Sequence, residues 1–274
     1  MTRKIASVTV LLFLTILLSG CPFQGATEEE PIQQEAEAPD AIDYIEESAL
    51  EIMAHADVIY LLTEGDELLA KVLQREMTAE NDGQGDDDNG DEQESEDSPS
   101  PEEIWITIDE AIASIHEQWD DLKHQLIEEN ISPGELKPFE ETLDNLTLLS
   151  AQRKYFETLI AANQLTEYLP RFMLPFAEDV TATAYKLKFH IRNVILTAAN
   201  GDYSEAQSSV DFLKDQSQTL FDDLEEEDAQ ETARELETSI DNLETALDKQ
   251  SLELIKVKAT VAMGNVVNAL DELE

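Results

Sequence analysis

From residue 42 the apolar positions recur three and four apart: Ile42, Ile45, Ala49, Ile52, Ala56 and Ile59. That spacing lines one face of a helix. Gly65 then Asp66 read as a helix stop and a new N-cap, with a further turn or two to about Met77. Residues 80–100 (ENDGQGDDDNGDEQESEDSPS) contain no apolar side chain. Such a segment buries nothing, so the stretch 78–100 is expected to be an acidic disordered insertion.

The next helix has an explicit start. Ser100 can cap, Pro101 suits the first turn and Glu103 completes a capping box. Its buried stripe is Ile104, Ile108, Ala111, Ile115, Trp119, Leu122 and Leu126. Ser132-Pro133-Gly134-Glu135 repeats the start signal. The spacing predicts a third helix carrying Leu136, Phe139, Leu143, Leu146, Phe156 and Leu159 and ending near Pro170. Leu169–Phe176, interrupted by Pro170 and Pro175, reads as a buried connector.

A fourth helix uses Val180, Ala184, Leu187, Ile191, Val194 and Ala198 and stops at Asn200-Gly201-Asp202. Asp202 with Glu205 makes another capping box. A fifth uses Ala206, Val210, Leu213, Leu220 and Leu224. Asp228 with Glu231 starts the last. There Ala233, Leu236, Ile240, Leu243, Leu247, Gln250, Leu254, Val257, Val261 and Gly264 alternate steps of four and three. That is a heptad seam, the coiled-coil spacing by which long helices pack side by side.

Three short patterns recur in the same order in both halves. Val58-Ile59 before Gly65-Asp66 matches Val194-Ile195 before Gly201-Asp202. Trp119-Asp120-Asp121-Leu122 matches Phe221-Asp222-Asp223-Leu224, and Leu143-Asp144-Asn145-Leu146 matches Ile240-Asp241-Asn242-Leu243. The expected fold is therefore all-α: a long-helix bundle over 42–274, built as two diverged three-helix units, 42–168 and 176–272, with the acidic insertion in the first. Only nine Gly and nine Pro in 274 residues suit long helices, where both are costly.

Charge changes the picture more than composition does. The chain holds 62 acidic and 17 basic residues, a net −45. Nucleic acid and anionic lipid head groups are repelled by such a field and are excluded as partners. The acid is spread along the chain, which suits a saline or alkaline exterior where salt screens self-repulsion. The same excess of acid would also serve to recruit cations or a cationic protein partner, or simply to solvate the outer helix faces.

The N-terminus supplies an address. Arg3 and Lys4 precede an uncharged apolar run from Ile5 to Leu18, and Leu18-Ser19-Gly20-Cys21 follows. A charged n-region, a short apolar core and small residues before a cleavage point make a signal peptide over 1–20. The run is shorter than the about 20 apolar residues of a transmembrane helix. The four residues resemble the lipobox of bacterial lipoproteins. The resemblance implies acylation of Cys21, removal of the preceding peptide and a lipid anchor in the cell membrane, or in the outer membrane of a two-membrane cell. Pro22 stands where that family's inner-membrane retention signal would place Asp. Beyond the lipobox, residues 42–274 are similar to uncharacterised helical lipoproteins of anaerobic spore-forming bacteria, a resemblance that implies no activity. Residues 21–41 are acidic and punctuated by Pro, and read as a flexible tether holding the bundle about 25 Å from the lipid. Cys21 is the sole cysteine, so acylation leaves no thiol for disulfides or thiol catalysis.

Candidate chemistry is sparse. His116, Asp120, His124 and Glu128 fall at successive i+4 positions on one helix face, so adjacent members are metal-ligand candidates. A di-metal bundle needs paired Glu-x-x-His motifs, and only Asp121-x-x-His124 approaches one. A solvated face with i,i+4 pairs accounts for the same residues. Asp87, Asn89, Gly90 and Glu96 match an EF-hand loop, but Gly85 occupies the first ligand position. Lys188 and Arg192 lie one turn apart in a segment poor in acid. They are an anion-site candidate, or an inner pair neutralised by neighbouring carboxylates. Trp105, Trp119, Tyr155, Phe156, Tyr168, Phe172 and Phe176 are core candidates. No phosphate-binding glycine loop, nucleophile elbow or zincin motif occurs. The expectation is a non-enzymatic surface binding or scaffold module without a cofactor; the alternative is a cation- or solute-binding component of an envelope transport system. If the acidic surface is an adaptation to salt, the melting temperature rises from dilute to molar salt. A flat or falling value rules that adaptation out.

Overall fold

Among the described residues there are eight helices of 12 to 28 residues and one of five. They are α1 (Asp40–Thr63), α2 (Pro101–Glu128), α3 (Pro133–Ala151), α4 (Tyr155–Thr166), α5 (Leu169–Met173), α6 (Asp179–Ala199), α7 (Tyr203–Glu226), α8 (Gln230–Asp248) and α9 (Leu252–Leu273). The computed structural model describes residues 39–63, 99–177, 179–227 and 229–273, all within one compact unit and without a strand among them. The lipobox at Cys21, most of the tether 21–41, the Gly65-Asp66 stop, the insertion through residue 98, the EF-hand-like positions and Asp228 lie outside the described residues.

The local signals act as their chemistry dictates. Ser100 accepts a hydrogen bond from the Glu103 backbone N–H at 3.3 Å, and the Glu103 carboxylate accepts one from the Ser100 N–H at 2.6 Å. Glu135 accepts from the Ser132 N–H at 3.1 Å and from its hydroxyl at 2.8 Å. Gly201 stops α6 with φ 80°, a conformation that Gly adopts without steric cost, and Asp202 N–H closes on the Thr197 carbonyl at 2.8 Å. Asp202 then accepts from the Glu205 N–H at 3.1 Å.

At two stops without a glycine the expected helices divide. The third expected helix breaks after Ala151 and the last after Asp248. Arg153 takes φ 58° and Gln250 φ 50°, so each break is a left-handed turn on an ordinary side chain. At the first, Lys154 N–H bonds the Leu149 carbonyl at 3.2 Å and Arg153 N–H that of Ser150 at 2.7 Å. The heptad seam is corrected with it. Its members through Leu247 are buried, but Leu254, Val257 and Val261 lie on the outside of α9, whose buried residues are Ile255, Ala259, Ala262, Val266 and Ala269. The turn at Gln250 reverses the chain, so the seam does not run on.

Among the described residues the expected three-helix units are thus four-helix rings. In the first, α1 packs on α2 and α4, α2 on α3, and α3 on α4; in the second, α6 packs on α7 and α9, α7 on α8, and α8 on α9. The closing pairs run in one register. α3 and α8 are both 19 residues long, and turns at 152–154 and 249–251 lead into α4 and α9. Leu136, Phe139, Leu143, Leu146 and Ser150 are buried, as are their counterparts Ala233, Leu236, Ile240, Leu243 and Leu247. Thr158, Ala162, Leu165, Leu169 and Phe172 correspond likewise to the five buried positions of α9. The Val58-Ile59 match is out of phase, however: Ile59 is buried and Val58 half-buried, whereas Val194 is buried and Ile195 half-buried.

Each ring encloses its own apolar cluster. Trp119 packs on Phe139 and Phe172 in the first, with ring centroids 4.2 and 5.5 Å apart. Helix α6 serves both: Val180, Ala184, Leu187, Ile191, Val194 and Ala198 enter the second cluster, while Ala182, Tyr185 and Leu196 enter the first. A helix buried on two sides must be apolar nearly all round, which is why this segment lacks acid. The connector α5 buries Leu169, Pro170, Phe172 and Met173 and packs on α6.

Gln250 is exposed, so its left-handed backbone has no side-chain burial to offset it. Gln250→Gly is expected to raise stability by about 1 kcal/mol, the cost of a left-handed non-glycine residue. Urea midpoints of the two proteins check this; no gain means that the turn is not strained.

Candidate functional site

Where α6 meets the first ring, apolar packing gives way to a buried polar network. Glu46 of α1 is only 6% exposed, although its neighbour Glu47 points to solvent. Lys188 Nζ donates to Glu46 Oε2 at 3.3 Å, and Arg192 Nη1 and Nη2 both reach Glu46 Oε1 at 3.4 Å. Arg192 also donates from Nε to Asn163 Oδ1 and from Nη2 to Thr166 Oγ1, each at 2.9 Å. Thr166 in turn donates to the Asn163 carbonyl at 2.7 Å. One guanidinium thereby ties α1, α4 and α6 together.

A second branch begins at Tyr185, whose hydroxyl donates to Asp43 of α1. Burial raises the Tyr185 hydroxyl pKa, and the Asp43 hydrogen bond raises it further, so the proton stays. Lys188 Nζ lies 4.4 Å from the centroid of the Tyr185 ring, a cation–π contact. Burial pulls the Arg192 pKa down and the Glu46 charge pulls it back; a guanidinium remains charged throughout the physiological range. Glu46 thus faces both cations, Lys188 and Arg192, while exposed Asp43 meets the Tyr185 hydroxyl.

Lys188 and Arg192 are the anion-site candidates of the sequence. The structure brings them together but gives them Glu46 as a permanent counter-ion, so they are not an open anion site. A free anion would have to displace a carboxylate that the fold already holds there.

The histidine face is not assembled into a site. Asp120, His124 and Glu128 are set along α2 with Asp120 and Glu128 exposed, and His116 Nε2 pairs with Thr147 Oγ1 of α3 at 3.0 Å. Among the described residues no group of three or more His, Cys, Asp or Glu is placed to hold a metal ion. His190 stacks on Phe212 at 3.8 Å, and burial lowers its pKa to about 4, so its ring is neutral at pH 7.

A cavity of about 360 Å³ opens beside the network, and both rings line it. Asp57 of α1 and Tyr155, Phe156 and Leu159 of α4 face Ile195, Leu196 and Ala199 of α6, with Leu252 and Lys256 of α9. Its walls are mostly apolar and aromatic, with one acid and one base at the rim. That chemistry suits an organic solute with an apolar body and a charged end.

The sequence marks the two cations of the network but not Asp43, Glu46, Asn163, Thr166 or Tyr185. In Tyr44-Ile45-Glu46-Glu47-Ser48 nothing local separates the buried glutamate from the exposed one. The distinguishing feature is the cation pair of α6, which lies more than 140 residues further along the chain and forms no motif with Glu46.

Glu46→Gln keeps the shape and removes the counter-charge of two buried cations. A loss of about 3–5 kcal/mol is expected, whereas the combined change Glu46→Leu, Lys188→Met, Arg192→Met and Asn163→Leu, which also removes the buried amide that Arg192 served, stays close to the parent. Chemical unfolding of both variants checks this; equal losses would show that packing matters and pairing does not.

The chain matches no protein-family model, no curated protein and no solved structure.

Proposed function

We propose that this protein is a lipid-anchored, extracytoplasmic helical-bundle protein acting as a non-catalytic binding or scaffold module at the cell membrane. The observation that carries the molecular part is the closure of the buried polar network. Glu46, Lys188, Arg192, Asn163 and Thr166 satisfy one another and hold helices together. Their chemistry is structural, so recognition falls to the outer surface. The lipobox supports the address, with Cys21 as the acylated residue. Among the described residues no helix is long and apolar enough to cross a membrane.

A second reading, a solute-binding component of an envelope transport system, is favoured by the cavity between Phe156, Leu196 and Leu252 with Asp57 and Lys256 at its rim. Native mass spectrometry of protein purified without chelators separates the two. A stoichiometric small-molecule or metal adduct favours solute binding, and a clean mass together with a reproducible partner captured from detergent extracts favours the scaffold.

For the anchor, Cys21→Ser is expected to abolish acylation and to deplete the protein strongly from the membrane fraction. Mass spectrometry and fractionation of the expressing cells read this out. An unacylated wild-type Cys21 would overturn the lipid anchor and leave the binding role to be judged separately.

A further inference from the structure

The outer face of α9 lies outside the core. Leu254, Val257 and Val261 are 40%, 59% and 50% exposed, and they continue through exposed Gly264 at heptad spacing. The first ring shows that the architecture does not require this. In the register that superposes the buried positions of α4 and α5 on those of α9, the same four outer sites carry Glu157, Ile160, Gln164 and Glu167. Three are polar and exposed, and Ile160 is half-buried against its own core.

Gly264 has no reason to be there within one copy. A glycine inside a helix costs about 1 kcal/mol relative to alanine. A Cβ at Gly264 would meet nothing within 4 Å, so the protomer does not need the space. Glycine on a helix surface lets another backbone approach closely.

Charge selects the occupant. From Leu254 to Leu270 there is no Asp or Glu, in a chain of net −45. Two copies repel over most of their surfaces, and this helical face carries no carboxylate of its own from 254 to 270; Glu231 and Glu235 of α8 border it only at Val261, beside Arg234. Lys256 and Lys258 sit in the N-terminal half of α9 with no carboxylate partner among the described residues, while Asp271 and Glu272 close its C-terminal end. An antiparallel pair brings the lysine half of each helix to the acidic end of the other; a parallel pair sets lysines against lysines.

We propose that this face is a self-association surface, on which α9 of a second copy packs antiparallel with Gly264 at the close approach. The inference deepens the scaffold reading and rests on it. Two heptads cover less than the about 800 Å² per partner of a standard stable interface. The dimer is therefore weak in dilute solution and is favoured where anchoring to one surface raises the local concentration. Added salt tightens it, because screening weakens the repulsion between the two acidic bodies.

Sedimentation equilibrium of the full chain in density-matched detergent tests this across protein-to-detergent ratios and salt. The expected result is a monomer–dimer equilibrium that tightens with salt. Val257→Thr with Val261→Thr should weaken it at least about tenfold, the loss of about 1.4 kcal/mol of association, while changing the melting temperature little, since both side chains are half or more exposed and no charge is added. Gly264→Ala should weaken the dimer yet raise the protomer's melting temperature, an opposition that a purely structural role would not produce. A strictly monomeric wild type, or a dimer indifferent to the double variant, overturns the proposal. So does a monomer that binds zwitterionic lipid vesicles through this face, which would assign it to the membrane. A monomer that still captures a reproducible partner sinks self-association alone and leaves the scaffold reading standing.

Discussion

Two cations of α6 and one glutamate of α1 share a space from which water is largely excluded, and each is costly there without the others. An unpaired buried charge costs several kcal/mol, so the first ring and α6 fit in the register that closes Glu46 on Lys188 and Arg192. Arg192 extends the constraint to α4 through Asn163 and Thr166. Apolar contacts alone tolerate sliding between helices of similar surface. Directional bonds from a planar guanidinium do not.

The same helix turns two closed rings into one body. A four-helix ring satisfies its own apolar interior and has no need of a neighbour. Here α6 is a wall of the second ring and also lends Ala182, Tyr185 and Leu196 to the first core. The rings cannot part without exposing that face and stranding the charges behind it. The cavity between Phe156, Leu196 and Leu252 lies along this joint, where two convex bundles leave space that side chains do not fill.

Net charge imposes a second order. Several of the scarce basic residues tie segments together: Arg171 bonds Glu135 and lowers its pKa to about 2, Arg153 bridges Asp109 and Glu102, and Lys214 bridges Asp241 and Glu244. These exposed pairs contribute little individually to stability, but each joins separate segments of the chain and neutralises acid on a crowded surface. Against that background, an outer helix with exposed valines, two lysines without a carboxylate partner among the described residues and no acid across its middle is an asymmetry between rings of otherwise matching plan.

Helix identity and most of the core are legible in the chain because they follow from local period and capping. Every stripe position from Ile42 to Ile59 and from Ile104 to Leu126 is buried as its spacing predicts, and Ser100, Ser132 and Gly201 start or stop helices by bonds within a few residues. The turns at Arg153 and Gln250 are not legible. Neither residue prefers the left-handed region, and the reversal is selected by what the following helix buries. With those turns go the count of helices per ring and the fate of the heptad seam, half of which is core and half surface. The burial of Glu46 beside exposed Glu47 belongs to the same class. Periodicity reports which face of a helix is apolar, but which carboxylate meets a cation depends on a helix more than a hundred residues away, and only tertiary packing brings that partner within reach.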